Sequence, residues 1–406
     1  MTLDPAPVPD RPREGPRLVD ALADRYVTEC TTRYPEIATA LGVAGGDDAR
    51  SDYSPDGHAS RLAHLRRTLA DLRETPTIDA REHTAKEAML ERLGTEVELH
   101  EARVIPSRVS VVAGAAQEIR ETFDLMPTDG EEAWANIAAR LRGLRAALDG
   151  VRRTLAVEAA QGNVSALRQV SGTIEQIRSW TGQTGSDDFF AGLAASAPAD
   201  LPDVLRTEVA GAAEQGRAAY ADFGVWLGSW LAPRAPTLDA VGGERYALDS
   251  RSFLGAAVDL EETYAWGFEE LHRIQGEQRA LARHLVGSDD IWAAYEALDA
   301  DPARRIEGVE GFRTWMQKVT DAAIGDLSGT HFDIPEPIAT IECCLAPTHE
   351  GLIYYTGPTE DFSRPGRMWW AVPEGVDTFS TWKELTTVYH EGVPGHHLQI
   401  AQNAYR

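Results

Sequence analysis

The chain has 406 residues, a hydrophobic fraction of 43% and a formal net charge of −25. That length and apolar content support a large buried core and exclude wholesale disorder. The acidic balance excludes nucleic-acid or anionic-membrane binding, which needs a positive footprint; the only lysines are Lys86, Lys318 and Lys383.

Residues 1–15 are rich in proline and charge and predict a flexible lead-in with no apolar leader. No later run of roughly eighteen apolar residues is available to span a bilayer. The three cysteines, Cys30 and the adjacent Cys343 and Cys344, lack framework or metal spacing. A soluble cytoplasmic protein is expected. Helical periodicity starts at Arg17, with Leu18, Leu22, Tyr26 and Val27 on one stripe. Pro35 opens a short helix through Ile37 and Leu41, ended by Gly45 and Gly46. Leu62, Leu65, Leu69 and Leu72 mark a helix over 60–72, and another follows over 86–100. Further helices are expected at 131–148, 150–161, 164–181, 202–230 and 250–285. The last is the longest, with Glu269, Glu270 and Arg273 on a solvated face over a packed stripe. The histidines of the body (His58, His64, His83, His100, His272, His284, His331, His349) are expected at surfaces or caps.

The texture changes near residue 331. Runs favouring β structure, broken by Pro and Gly, predict strands at 338–344, 352–356 and 367–372. Thr381-Trp382-Lys383-Glu384 then reads as a capping box opening a helix through Leu385, Val388 and Tyr389. The expected fold is mainly α: a lead-in over 1–15, a large multi-helix body over 16–330, and a region over 331–406. That last region holds a small antiparallel β-sheet preceding a zinc-binding helix.

The helix ends in His390-Glu391-Gly392-Val393-Pro394-Gly395-His396-His397. A neutral imidazole is a zinc ligand, and a neighbouring glutamate can take a proton from water activated by the ion. In H-E-x-x-H the two histidines lie one turn apart, but Pro394 occupies that position here. On an unbroken helix His397 would return to the face of His390 about 10 Å further along the axis, too far to share an ion. Pro394 and Gly395 break the helix, however. Looping out two residues returns His396 to the second ligand's place, with His397 left for substrate or support; His397 as the ligand is the open alternative. The structural alternative is a histidine-rich helix end, mildly favoured by the macrodipole.

The run from Tyr389 to Gln399 closely resembles the signature of a large bacterial family, domain of unknown function 885, which is grouped with the thermolysin-like zinc peptidases. Tyr354-Tyr355 and Ser363-Arg364-Pro365-Gly366-Arg367 are similar to its Y-Y and S-R-P-G elements, and the helical body extends the resemblance over nearly the whole chain. The resemblance implies a Zn²⁺ site built from His390 and one of the following histidines, with Glu391 as general base. It also implies a third ligand, a Glu in a downstream E-G-W-A-L-Y segment. The nearest echo in this sequence, Glu132-Ala133-Trp134-Ala135, lies in an ordinary amphipathic helix. The third ligand is therefore not found, the catalytic region is expected to lack its C-terminal part, and metal binding is expected to be weak.

Tyr354 and Tyr355 alternate across a strand, so one is expected to face the site as a donor to a developing oxyanion; packing into the sheet is the alternative. Arg364 and Arg367 are placed to clamp a substrate carboxylate, or else to form surface ion pairs. Trp369 and Trp370 line a pocket or cover the helix, and the strand at 367–372 is a candidate edge for peptide addition. Cys343 and Cys344 are expected to be buried strand residues. The expected function is a zinc-dependent hydrolase, a metallopeptidase acting on short peptides. The rivals are a weakly metal-binding, inactive member serving as a binding protein, and a metal-dependent amide or ester hydrolase of small molecules.

Overall fold

The computed structural model describes residues 17–185, 188–346, 353–359 and 361–405. The expected lead-in, His349 and the start of the expected strand at 352 lie outside the described residues. Helices dominate, and no described helix is long and apolar enough to cross a membrane.

Three apolar clusters organise the chain. In the first, helix Leu18–Arg33 sets Val19 and Leu22 against Leu65, Leu69 and Leu72 of helix Pro55–Glu74 and Leu93 of helix Ala80–Glu101. The latter two helices start earlier than their apolar periodicity predicts, because the chain supplies caps upstream. Ser54 Oγ accepts from the Gly57 N–H ahead of Pro55, and the Asp79 carboxylate accepts from the Glu82 N–H. The second cluster surrounds helix Gly130–Ala160, which runs unbroken where two helices were expected. Gly150 stays helical and lets the Tyr53–Ser54 backbone close in: a Cβ there would sit 3.1 Å from the Ser54 nitrogen. Trp134, Ile137, Leu141 and Leu144 pack with Ile177, Tyr220 and Phe223 of helices Leu167–Trp180 and Asp203–Trp226. Helix Ala115–Leu125 completes this cluster. It escaped the sequence reading because Gln117, Arg120 and Thr122 are buried beside Ile119 and Phe123 and blur the stripe.

The third cluster carries the sheet. Short strand β1 (Arg305–Glu307) precedes helix Val309–Leu327, which underlies β2 (Ile341–Leu345), β3 (Tyr354–Thr356) and β4 (Gly366–Trp370); β5 (Thr378–Ser380) returns antiparallel to β1. The strand order is β2-β4-β3, with β3 antiparallel to β4 and β2 parallel to it. Because β4 is central and paired on both sides, the expected peptide addition along 367–372 has no free edge there. Phe312 stacks on Phe379 at 4.0 Å and meets Trp370 edge-on. Trp370 is therefore core, while Trp369 donates from its indole to Thr356 Oγ1 at 3.0 Å.

Two expectations fail in the connecting arm. The helix expected over 250–285 is two helices, Gly243–Leu254 and Leu260–Val286. Gly255 ends the first at φ +71°, and the Asp259 carboxylate caps the second through the Glu261 and Glu262 N–H groups. The stripe expected to be packed is instead open to solvent: Tyr264 is 68% exposed and Leu281 61%, and Ala282 alone is buried among the described residues of that helix. The body's histidines are also not all peripheral. His64 and His100 are buried, His64 Nε2 lying 2.9 Å from Glu29.

Two outcomes follow from these burials. Helix Leu260–Val286 buries so little that its backbone amides exchange with deuterium well before those of Gly130–Ala160, as hydrogen-exchange mass spectrometry will read. Burial holds the His100 pKa down to about 4, against 6.5 when free. The unfolded chain thus takes up a proton that the folded chain refuses, and stability falls as pH drops from about 6.5 towards 4, by on the order of 3 kcal/mol. Urea unfolding across that window will show the slope, and His100→Gln will flatten it.

Candidate metal centre

The histidine helix spans Thr381–Glu391, and its start is not the capping box expected from Thr381 and Glu384. Ser380 is the cap residue, and its hydroxyl is committed elsewhere, to Asp299 Oδ1 at 2.9 Å. Asp299, at the end of helix Ile291–Ala300, also accepts from the Trp382 indole at 3.0 Å and from Lys383 Nζ at 2.7 Å. Three donors on one carboxylate replace the local cap and anchor the first turn from outside.

At its other end the helix stops at Glu391. Gly392 leaves the helical region at φ −92°, ψ −125°, the Val393–Pro394 peptide is cis, and a new helix runs from His396 to Tyr405. The Gly395 N–H donates to the Tyr389 carbonyl and the His397 N–H to the Gly392 carbonyl, both at 3.1 Å. A Cβ on Gly395 would overlap the His390 carbonyl, so only glycine lets the backbone double back this closely. The turn brings the His396 ring beside that of His390, with centroids 4.6 Å apart and planes at 84°.

Between them lies Glu391. One ligand atom each from His390, Glu391 and His396 falls within 4.8 Å of the others. A tetrahedral zinc ion holds its nitrogen ligands about 3.3 Å apart, so small side-chain rotations suffice for convergence. Glu391 is 5% exposed, and its Oε2 is buried with no hydrogen-bond partner. Burial pushes its carboxyl above the usual range, against the opposing pull of His396 and then His390. A buried carboxylate oxygen left without a donor beside two imidazoles fits a cation or a proton to be received. By donor type and spacing the group fits zinc.

His397 is occupied otherwise. Its Nε2 lies 2.8 Å from the Ile338 carbonyl and its Nδ1 2.8 Å from the Tyr355 hydroxyl. The carbonyl only accepts, so Nε2 carries the proton and the Tyr355 hydroxyl donates to Nδ1. Both ring nitrogens are used, and the ring is buried. Gly366 makes the pair possible, since a Cβ there would overlap Tyr355 Oη and crowd His397 Nδ1. Tyr354 points away along the strand alternation: it stacks on Trp369 at 6.0 Å, and burial followed by the Asp124 charge on helix Ala115–Leu125 raises its phenol.

Arg367 Nε donates to Glu342 Oε2 at 2.7 Å across the β2–β4 pair, the ion-pair alternative rather than a free clamp. Arg364 reaches back to the Ala40 carbonyl at 3.3 Å, and its Nε is buried without a partner. The Cys343 thiol is buried under Thr320 and pushed up to about 11 by desolvation, so it is no nucleophile at neutral pH. Sequence reading missed three contributors: Asp299, the Ile338 carbonyl and Gly366. A backbone carbonyl has no sequence signature, and Asp299 lies 81 residues from Ser380. Gly366 alone had a signal, in the S-R-P-G segment.

The fold has solved counterparts. A protein from Colwellia psychrerythraea described as a "putative lipoprotein" superposes with a TM-score of 0.78 at 17% identity, over 95% of this chain and 72% of its own. A second, from Shewanella oneidensis and described as "a putative lipoprotein of unknown function", gives 0.59 at 15% identity, over 94% and 71%. At these identities the likeness is one of fold. No curated protein matches the chain. Residues 35–406 match the family described as "Bacterial protein of unknown function (DUF885)", and the chain belongs to that family.

Proposed function

We propose that the chain is a zinc-dependent hydrolase of the thermolysin-like kind, acting on short peptides. The observation that supports this most directly is the doubling back at 392–395, which sets His390, Glu391 and His396 within reach of one ion. His390 and His396 would hold the zinc, and the ion would supply Lewis-acid polarisation of a carbonyl and a lowered pKa for water. Glu391 is the base: its carboxylate is desolvated, has an unused oxygen and flanks both imidazoles, so it receives the proton that a water nucleophile gives up and passes it to the leaving amine. His397 and Tyr355 serve this centre by fixing the terminal helix, and Arg364 is the cation proposed to meet a substrate carboxylate.

A second reading is favoured by one feature of the same cluster. Among the described residues the group reaches three only when Glu391 is counted, and a glutamate spent as a ligand is not a base. In that reading the chain binds metal weakly and acts as a binding protein, or cleaves another amide or ester.

The readings separate on Glu391→Gln. If Glu391 is the base, the variant keeps its zinc, measured by plasma emission spectrometry, and loses about 10²–10⁴-fold in turnover of a mixed short-peptide library. Loss of zinc together with activity would favour the ligand role, and no turnover by zinc-loaded wild-type protein would defeat the hydrolase reading. The two adjacent histidines should part company as well. His396→Ala abolishes zinc retention with little effect on melting. His397→Ala strands the Tyr355 hydroxyl and the Ile338 carbonyl and destabilises the fold by about 1–3 kcal/mol in calorimetry.

A further inference from the structure

A cavity of about 460 Å³ opens inside the N-terminal helical body, between helices Pro55–Glu74, Ala80–Glu101 and Ala115–Leu125. Its size is that of a small-molecule site, and its wall carries several ionisable side chains. Several of the charges on that wall already have partners. Arg61 Nε donates to Glu96 at 2.7 Å, Glu36 lies 3.4 Å from Arg50, and the Asp52 carboxylate accepts from the Ser54 N–H at 2.9 Å. His58 is kept neutral by burial, its ring 5.8 Å from that of His100.

Two opposite charges are left over. Glu118 and Arg108 both line the cavity and are open to solvent, and neither side chain has an ion pair or hydrogen bond among the described residues. Arg61 and then Arg108 pull the Glu118 carboxyl down, but burial prevails and raises it. Tyr34 also lines the cavity, its hydroxyl buried with no partner and its ring held under Arg61 at 4.9 Å. A cavity of this volume, lined by one anion and one cation that no protein group pairs, offers a complementary set to a small ligand of mixed charge.

We infer that this cavity binds a small zwitterion, an amino acid or short peptide with free ends, its ammonium on Glu118 and its carboxylate on Arg108. The Tyr34 hydroxyl completes the polar contacts, and the spent pairs Arg61–Glu96 and Glu36–Arg50 hold the wall rigid. The site is separate from the histidine cluster and is independent of whether that cluster hydrolyses anything.

Calorimetric titration of the whole chain, kept in EDTA so that no metal contributes, tests this with alanine, dialanine, N-acetyl-dialanine and dialanine amide. One equivalent of alanine or dialanine binds, and capping either end weakens binding at least tenfold. In Glu118→Gln, dialanine and its N-acetyl form bind alike; in Arg108→Gln, dialanine and its amide bind alike. Absence of binding by both uncapped probes overturns the inference, as does indifference of the wild-type chain to both caps. It is equally overturned if cap discrimination survives in both variants. The comparison of caps on the wild-type chain stands even if a variant fails to fold.

Discussion

Two hydrogen bonds to one buried ring set the geometry on which the candidate centre rests. His397 donates from Nε2 to the Ile338 carbonyl and accepts at Nδ1 from the Tyr355 hydroxyl. The first bond ties the terminal helix to the segment leading into β2, the second to β3. Neither bond can be exchanged for water at that depth without leaving a buried polar group unpaired. With His397 fixed, its neighbour on the helix has no freedom of position, and His396 faces His390. The adjacent histidines thus divide the labour: one is spent on architecture so that the other is free for chemistry.

The same economy appears in the glycines. Gly366 and Gly395 lie on different elements, but each is a place where a single Cβ would close the site. At Gly395 it would strike the backbone of the helix just completed; at Gly366 it would strike the Tyr355–His397 pair. Side-chain chemistry at the centre is therefore conditional on two residues that have no side chain.

Periodic segments far from the centre were legible in the sequence, because long amphipathic runs around residues 60–72, 86–100 and 131–161 have only one way to bury their stripes. The helix interruption at Pro394-Gly395 was legible too, since proline and glycine act through the backbone and need no partner. What was not legible depended on distant partners. Thr381 and Glu384 spell a cap that the structure does not use, because Asp299 offers the first turn a stronger one. Helix Ala115–Leu125 hides behind its own buried polar residues. Arg367 reads equally as a clamp or as an ion pair until β2 brings Glu342 alongside. The break at Gly255 was written in the sequence as a glycine stop followed by an aspartate cap, but the continuous apolar texture around it masked the signal.

Asp299 gives the arm a mechanical role. Helix Ile291–Ala300 stacks Tyr295 on Trp382 at 5.2 Å and grips Ser380, Trp382 and Lys383 through one carboxylate. It also packs against Leu260–Val286, the long helix with the least buried surface for its length. The first turn of the histidine helix is thus moored to a sparsely buried framework, while the next helix, which carries His396, is tied down through His397 to Tyr355 of the sheet and to the Ile338 carbonyl. A load applied to the arm would act on the histidine helix as on a beam fixed at one end, twisting His390 relative to a stationary His396.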